Sequence, residues 1–408
     1  MDSEWADEAV GAAKPLEVNA MCAIDSDADI SLKTVKFGDV TYPFYVASEA
    51  SAWAELQHIV RQLAADRFII IADEGVPASL LELVQQCFGL IGPCSLLTTV
   101  ASEQHKTLNA VDSLAEEAIR AGVTRKSCIV ALGGGVVGNM AGLVAGLLFR
   151  GIRLIHIPTT LLAMSDSVLS TKQGVNSRVG KNHLGVFHPP TLVWCHLVFL
   201  ESLPVDDIKA ALCEMIKNVV AIQPEAVPAT LSDLRPDGQY DAQTIRRFID
   251  LCIEAKTTVM RDDVREKNRG LILEYGHTIG HAIELLSKGS LRHGYAVGLG
   301  MLGAARISKL LGLMSDADEQ VHLDLLAKNG APVTFETELT VEEVFRTVSL
   351  DNKRGYLPPV PGKSDFVLLE GIGRPMQSAT SLITQVDNGT VLAAIDSILR
   401  QDLQRKVA

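Results

Sequence analysis

The chain has 408 residues, of which 49 are acidic and 37 are basic, so its formal net charge is −12. This acidic balance argues against a nucleic-acid partner, which needs a basic surface, and no apolar run reaches the ~18 residues of a membrane span. Seven cysteines, an odd number with no C-x-x-C pair, favour reduced thiols and a soluble cytoplasmic protein over a disulfide framework.

Strand and helix patterns alternate in the N-terminal half. Residues 1–31 carry eight acidic side chains and one basic side chain without clear periodicity, and we expect a mobile extension there. A β-rich stretch at 34–46 predicts a hairpin around Gly38-Asp39. The alternation that follows predicts an α/β domain over residues 32–202 with a Rossmann-like parallel sheet. Its predicted strands are 67–72, 95–100, 127–132 and 153–158, and its predicted helices are 77–88 and 106–122.

Long helical patterns dominate after residue 203. They predict helices at 205–220, 242–260, 270–286, 294–311 and 316–328, followed by a Pro/Gly-rich segment at 356–362 and a helical tail. The sequence therefore predicts a mostly α-helical C-terminal domain over residues 203–408. A cleft between two such domains is a usual place for a ligand.

The strand predicted at 127–132 leads into a glycine loop. Gly133-Gly134-Gly135-Val136-Val137-Gly138 satisfies G-x-G-x-x-G between a strand and a helix, where backbone N–H groups bind a pyrophosphate. The acidic residue that usually follows about 20 positions later is missing. The loop predicts either a plain tight turn or a dinucleotide site whose ribose contacts come from elsewhere, such as Asp73 or Glu103.

The densest group of candidate ligands lies in the C-terminal half. His277 and His281 are four residues apart, so a helix places them on one face, and His293 follows closely. Glu214 lies in an otherwise apolar helical pattern, where a lone charge is costly, and Lys217 shares its face. Imidazoles and a carboxylate are ligands for zinc or cobalt. The pattern predicts a metal or catalytic site; the alternatives are surface or core histidines and a simple Glu–Lys ion pair.

Basic side chains recur in a Gly/Ser/Asn-rich region that we interpret as a loop. It contains Lys172, Lys181 and Asn182, and further cations are Lys256 and Lys353. Lysine ammonium groups commonly neutralise phosphate, although a single lysine is more often solvated surface. Together, these residues predict a dinucleotide- and metal-dependent enzyme that acts on an anionic small molecule.

From about residue 34 onwards the chain resembles the sugar phosphate cyclases, the dehydroquinate synthase-like superfamily. The matching blocks, in order, are GGGVVGNMAG, FRG, IPTTLLAMSDS, TKQGVN, GKNHLG, CEMIKN, EYGHTIGHAIE, HGYAV and DNKRGY. The resemblance implies the superfamily's fold, NAD and a divalent metal (Co²⁺ or Zn²⁺) as cofactors, and a sugar phosphate substrate. It also implies a homodimer in which Arg150 reaches across the interface. The family's adenosine contacts precede the glycine loop, which explains the missing acid after it.

The residues that match the family's functional positions fall into four groups. Metal ligands match Glu214, His277 and His293. Catalytic positions match Asp166, Lys172, Lys217 and His281, to which we add Glu274. Substrate contacts match Arg150, Lys181, Asn182, Lys256, Glu266 and Lys353. NAD contacts match Asp73, Glu103, Lys106, Gly133, Gly134, Gly135, Thr159 and Thr160, with Asn139 beside them.

Departures from the superfamily pattern narrow the resemblance. Gly270 and Glu274 stand where dehydroquinate synthases usually have an arginine and an asparagine, and Asn139 stands where they have an aspartate. That arginine helps to hold a substrate carboxylate, so its loss implies a substrate without one. Epi-valiolone-type cyclases typically lack the histidine at His281, so its presence disfavours them. The similarity is strongest to the 2-deoxy-scyllo-inosose synthases, the branch that cyclises glucose 6-phosphate with phosphate elimination in aminoglycoside biosynthesis.

Three other functions are weighed against this one. The first is 3-dehydroquinate synthase or another sugar phosphate cyclase. The second is a metal-dependent alcohol dehydrogenase, against which the phosphate-binding lysines weigh. The third is a regulatory binding protein that retains the fold, against which the full set of metal and phosphate residues weighs.

Overall fold

The structure is a computed structural model that describes residues 29–178, 180–348, 356–378 and 381–401. Almost all of the predicted N-terminal extension, and Lys353 with it, lies outside these residues. Among the described residues, no helix has both the length and the apolar character that a membrane span requires.

A seven-stranded, mostly parallel sheet forms the centre of the N-terminal half. Its strand order is β1-β2-β9-β6-β5-β3-β4, in which only the β1–β2 pair is antiparallel. The predicted hairpin and the four predicted strands are confirmed. The elements of this half are β1 Ile30–Phe37, β2 Val40–Ala47, α1 Ala52–Arg61, β3 Phe68–Asp73, α2 Ala78–Gly89, β4 Cys94–Thr99, α3 Leu108–Arg120, β5 Cys128–Gly133, α4 Gly135–Leu147, β6 Arg153–Pro158, β7 Lys172–Ser177, β8 Gly180–Phe187 and β9 Leu192–His196.

The central strands are apolar on both faces because helices cover the sheet from both sides. In β3, Phe68 and Ile70 point into one core, and Ile69 and Ile71 point into the other, which α3 and α4 close. Parallel sheets buried in this way read as continuous apolar runs instead of alternating ones. The carboxyl ends of β3, β5 and β6 meet at one edge, where the glycine loop lies.

The C-terminal half is mainly helical, as predicted. Helix α9 lies at its centre, is buried on most of its surface, and packs against α5, α8, α10 and α12. The elements of this half are α5 Val205–Ile222, α6 Val227–Asp233, α7 Ala242–Met260, α8 His277–Leu286, α9 His293–Leu310, α10 Asp316–Lys328, β10 Phe335–Thr337, α11 Val341–Val348, β11 Lys363–Val367, β12 Leu369–Gly371, β13 Arg374–Pro375, β14 Ile383–Asp387, α12 Asn388–Ile398 and β15 Leu399–Gln401.

The prediction of one continuous helix over 270–286 is wrong. A 3-10 turn over Arg269–Glu274 is followed by a break, and α8 begins at His277. Gly276 has φ +81°, and a Cβ atom there would lie 2.9 Å from the backbone nitrogen of Met301. Only glycine fits such a left-handed position at this close approach. The break places His277 at the first position of its helix.

The prediction of a loop for the lysine-rich region is also wrong. Strands Lys172–Ser177 and Gly180–Phe187 form the antiparallel hairpin β7–β8, in which Val175 pairs with Leu184. Val175 is buried against α3 and α4, whereas most of β8 is exposed. One buried face is therefore enough to order a segment whose composition is typical of a loop.

Candidate active site

Three histidines and one glutamate from three helices converge in the C-terminal half. Nitrogen atoms of His277, His281 and His293 all lie within 4.8 Å of one another. Helix α5 contributes Glu214, whose Oε1 is 3.5 Å from His277 Nε2 and 3.4 Å from His293 Nε2. The predicted proximity of these four residues, drawn from positions 214 to 293, is thus present in the fold.

Glu214 is an almost fully buried carboxylate with one satisfied oxygen. Its Oε2 accepts a hydrogen bond of 2.5 Å from Lys217 Nζ, and the two side chains are only 2% and 3% exposed. Burial alone would raise the pKa of Glu214, but the Lys217 ammonium and the neighbouring histidines hold it well below its usual value. Its Oε1 is buried and has no hydrogen-bond partner of good geometry in the described part of the chain. An ionised oxygen that faces two imidazole nitrogens in this way fits a divalent cation.

The two histidines nearest Glu214 present their Nε2 atoms to it. His277 Nδ1 is 3.2 Å from the carbonyl oxygen of Tyr275, to which it donates, so Nε2 is left as a ligand atom. Burial and the neighbouring Lys217 ammonium together lower the pKa of His277 to about 4, so its imidazole is neutral at pH 7. Burial would also lower the pKa of His293, but the carboxylates of Glu214 and Glu284 raise it to about 10. A metal that binds here would displace the His293 proton.

Three ion pairs connect the sheet half to the helical half. Two join lysines of the β7–β8 hairpin to carboxylates of the helical half. In the third, a lysine of the helical half pairs with a carboxylate of the sheet half. The pairs are Lys172 Nζ–Glu266 Oε2 at 2.5 Å, Lys181 Nζ–Glu284 Oε1 at 2.7 Å and Lys256 Nζ–Asp166 Oδ1 at 2.8 Å. Lys256 also donates to the Asp166 carbonyl oxygen at 2.8 Å. The predicted substrate residues of the two halves are therefore direct neighbours.

The glycine loop joins the end of β5 to the start of α4, as predicted. A Cβ atom at Gly135 would lie 2.6 Å from Ser167 Oγ, so Gly135 packs directly against the Ser167 side chain. Thr160 lies beside Gly134, and Asn139 Nδ2 donates to the Gly135 carbonyl oxygen at 2.8 Å. The remaining predicted NAD residues of this edge are Asp73 and Gly133, which contact one another, and Thr159, whose N–H donates to Gly133.

A hydrogen-bonded unit joins the predicted NAD residues Glu103 and Lys106 to the hairpin. Lys106 is buried and donates to Asn182 Oδ1 at 2.6 Å. Asn176 Nδ2 donates to the carbonyl oxygen and to Oε2 of Glu103 at 2.9 and 2.8 Å, and its Oδ1 accepts from the Asn182 N–H at 2.9 Å. Asn182 has φ +55°, and these two contacts hold it in that conformation.

Sequence reasoning missed two residues that organise the site. Asn176 lies in the TKQGVN block and Glu284 ends the EYGHTIGHAIE block, so both were in quoted motifs but received no role. Three predicted residues stand apart from the contacts above. Arg150 is exposed, with φ +69°; Glu274 acts on Lys217 and His277 through its charge; and Lys353 lies outside the described residues.

Comparisons with known proteins point to one family. Residues 96–210 match the 3-dehydroquinate synthase N-terminal family, and residues 211–354 match its C-terminal counterpart. The chain is 41% identical over 371 residues to a 2-deoxy-scyllo-inosose synthase of Streptoalloteichus tenebrarius, covering 90% of this chain and 94% of that one. It is 42% identical over 370 residues to a 2-deoxy-scyllo-inosose synthase of Micromonospora echinospora, covering 90% and 92%.

Solved structures agree with these sequence relatives. A crystal structure of 2-deoxy-scyllo-inosose synthase complexed with carbaglucose-6-phosphate, NAD⁺ and Co²⁺ matches with a TM-score of 0.84 and 37% identity, covering 90% of this chain and all of that one. A 2-epi-5-epi-valiolone synthase from Streptomyces hygroscopicus, solved with NAD⁺ and Zn²⁺, matches with a TM-score of 0.74 at 22% identity, which shows a shared fold.

Proposed function

This chain belongs to the 3-dehydroquinate synthase family, and we propose that it acts there as a 2-deoxy-scyllo-inosose synthase. In this role it is a carbon–oxygen lyase that converts glucose 6-phosphate into a carbocycle with elimination of phosphate, a step of 2-deoxystreptamine aminoglycoside biosynthesis. Identities of 41% and 42% to such synthases over 90% of the chain support the assignment.

The surroundings of Gly270 favour glucose 6-phosphate over a substrate that bears a carboxylate. A Cβ atom at position 270 would lie 2.9 Å from Glu266 Cγ and 3.1 Å from Asp263 Oδ2, so Glu266 occupies the room that a longer side chain would need. Glu274 adds a further carboxylate near Lys217. A substrate carboxylate would therefore meet negative charge and no guanidinium from position 270, whereas a sugar hydroxyl can donate to these acids.

The metal and NAD each have residues that fit them. When bound, NAD⁺ supplies a reversible hydride acceptor, and the divalent metal polarises a substrate hydroxyl. We assign the metal, Co²⁺ or Zn²⁺, to Glu214, His277 and His293, because Glu214 Oε1, which is buried without a hydrogen bond of good geometry, faces both Nε2 atoms. We assign NAD to the edge of the sheet formed by Asp73, Glu103, Lys106, Gly133, Gly134, Gly135, Asn139, Thr159 and Thr160.

The hairpin lysines hold the substrate phosphate in this proposal. Lys172 and Lys181 are 48% and 41% exposed, so each ammonium group can contact an anion while it keeps its carboxylate partner. Positive charge placed there offsets the charge that develops as phosphate leaves. Asn182 joins the lysines from the same hairpin, and His281 approaches from the metal cluster as the group that exchanges a proton near the departing phosphate.

The remaining predicted residues line the rest of the cleft. Lys256 Nζ lies 2.8 Å from the Asp166 carbonyl oxygen and 2.8 Å from Asp166 Oδ1, and the second contact holds this carboxylate ionised. Lys217 keeps Glu214 ionised, and Glu274 accepts hydrogen bonds from substrate hydroxyls. We retain Lys353 and Arg150 as further phosphate or hydroxyl contacts.

We also propose a homodimer whose interface includes the outer end of α4 and strand β8. Four apolar side chains are exposed there: Leu147, Phe149, Leu184 and Phe187, which are 50%, 39%, 38% and 52% exposed. Arg150 follows Phe149 in the same left-handed segment. Burial of this apolar surface would place Arg150 against a second subunit, which a sedimentation measurement and an Arg150→Ala variant mixed with wild-type protein would test.

Localisation and domain limits complete the proposal. We place the enzyme in the cytoplasm, because the six cysteines in the described part of the chain are all free and reducing conditions keep them so. We place the boundary between an NAD-binding domain, 32–202, and a metal- and substrate-binding domain, 203–408, just before α5.

Product analysis tests the proposed reaction. Purified protein is incubated with NAD⁺, Co²⁺ and glucose 6-phosphate, and we expect equal amounts of phosphate and 2-deoxy-scyllo-inosose by NMR, without accumulation of NADH. A net rise in NADH absorbance without phosphate release would indicate an alcohol dehydrogenase and would overturn the assignment. A His277→Ala variant should lose bound metal; retention of one metal ion per chain would contradict the ligand assignment.

A further inference from the structure

Glu284 on α8 lies between two residues of the site that come from different halves of the chain. Its Oε2 is 3.0 Å from His293 Nδ1, and its Oε1 accepts from Lys181 Nζ at 2.7 Å. The Glu284 side chain is only 15% exposed. Both oxygens of one carboxylate are thus used by partners that the proposed function assigns to metal and phosphate.

The two metal-side histidines are held in different ways. His277 donates from Nδ1 to a backbone carbonyl, that of Tyr275, and its side chain is 11% exposed. His293 is the first residue of α9 and is 33% exposed, and its Nδ1 faces the Glu284 carboxylate. An imidazole ring that is less enclosed by packing depends more on its hydrogen bond for its orientation. The orientation of His293 therefore depends on a side chain, whereas that of His277 depends on the main chain.

Glu284 is itself fixed by Lys181. With Oε1 bound to the ammonium group, Oε2 is directed at Nδ1 of His293, and Nε2 of the same ring is directed at Glu214 Oε1, 3.4 Å away. Hydrogen bonds of this kind fix the tautomer of a histidine ligand and increase its basicity. The order of contacts is Lys181, Glu284, His293, Glu214.

We propose that Glu284 is a positioning residue that orients His293 for a divalent cation, and that Lys181 fixes it in that role. The inference rests on the proposed metal site but not on the identity of the substrate. It implies that a carboxylate outside the metal's own ligand set controls metal affinity.

Metal titration of the full chain tests this inference. Protein stripped with a chelator is titrated with Co²⁺, and the visible absorption of the bound ion is recorded for wild type, Glu284→Ala and Glu284→Gln. We expect Glu284→Ala to weaken Co²⁺ binding about 10- to 100-fold. Glu284→Gln keeps an oxygen that can accept from Nδ1–H, so its loss should be smaller than that of Glu284→Ala. NMR of the zinc-bound protein should show His293 protonated at Nδ1 in wild type and a mixture of tautomers in Glu284→Ala.

Glu319→Gln is the matched control. Glu319 is another poorly exposed carboxylate with two cationic partners, Lys309 and Arg306, but it lies on α10. The Glu319→Gln variant should bind Co²⁺ with the affinity of the wild-type protein. Equal losses in Glu319→Gln and Glu284→Ala, or Co²⁺ affinity of folded Glu284→Gln and Glu284→Ala both within about twofold of wild type, would overturn the inference. Failure of the wild-type protein to bind Co²⁺ would instead overturn the proposed metal site itself.

Discussion

Replacing Lys217 by methionine should destabilise the metal-free protein by leaving Glu214 charged and poorly compensated. Removing one partner of a buried ion pair costs about 3–5 kcal/mol, because the other charge stays buried. Lys217 and Glu214 are 2.5 Å apart and almost fully buried, which places them in this class. Protonated His293, 3.4 Å from Glu214 Oε1, retains part of the compensation, so we expect a loss of about 3 kcal/mol.

Urea unfolding in the presence of a chelator measures this loss. Lys209→Met on the same helix is the control, since its partner Asp206 is 3.7 Å away and exposed, and such pairs contribute at most about 1 kcal/mol. The double variant Glu214→Gln/Lys217→Met should be more stable than the sum of the single losses predicts, by roughly 2 kcal/mol. A Lys217→Met loss no larger than the control's, or strictly additive losses, would refute the electrostatic reasoning.

The remaining predictions concern the backbone at Gly276, the hydrogen bonds of Asn176 and the buried thiols. Gly276→Ala should lower the free energy of unfolding by more than Gly289→Ala, because both glycines have positive φ but only Gly276 meets neighbouring backbone; equal losses in urea unfolding would contradict this. Asn176→Ala should raise the KM values for NAD⁺ and glucose 6-phosphate together, by up to about 10-fold, since lost hydrogen bonds are worth about 1 kcal/mol each; a change in only one KM would argue against a shared unit. Burial raises the pKa values of Cys128 and Cys252 to about 12, so both remain protonated at pH 8 and should react with a disulfide reagent only after unfolding; rapid labelling of the native protein at either peptide would count against their burial.

Regular patterns made much of the fold predictable. The apolar run at 67–72 and its counterparts predicted the parallel strands because both faces of the sheet are buried. The hairpin β7–β8 escaped prediction because β8 is mostly exposed and its order comes from Val175 on the partner strand. The break before α8 was not predicted, because the apolar pattern over 270–286 continues at helical spacing across Gly276. The positive φ of Gly276 goes with the close approach of Met301, which the sequence does not show.

The residues of the candidate site were likewise predictable only in part. Spacing along a helix brought His277 and His281 together, and an isolated charge in an apolar helix identified Glu214. No sequence pattern indicated the contacts between distant segments. Lys181 and Glu284 are 103 residues apart, and Glu103 and Asn176 are 73 residues apart. Roles that depend on these contacts become visible only when the fold brings the segments together.

The choice between substrates tests the central claim most directly. We would measure kcat/KM for glucose 6-phosphate and for the seven-carbon keto acid phosphate used by dehydroquinate synthases, in one phosphate-release assay with NAD⁺ and Co²⁺. Because Glu266 fills the space beside Gly270 and Glu274 adds a further carboxylate, we predict a ratio of at least about 10³ in favour of glucose 6-phosphate. Phosphate release from the keto acid phosphate alone would contradict the account.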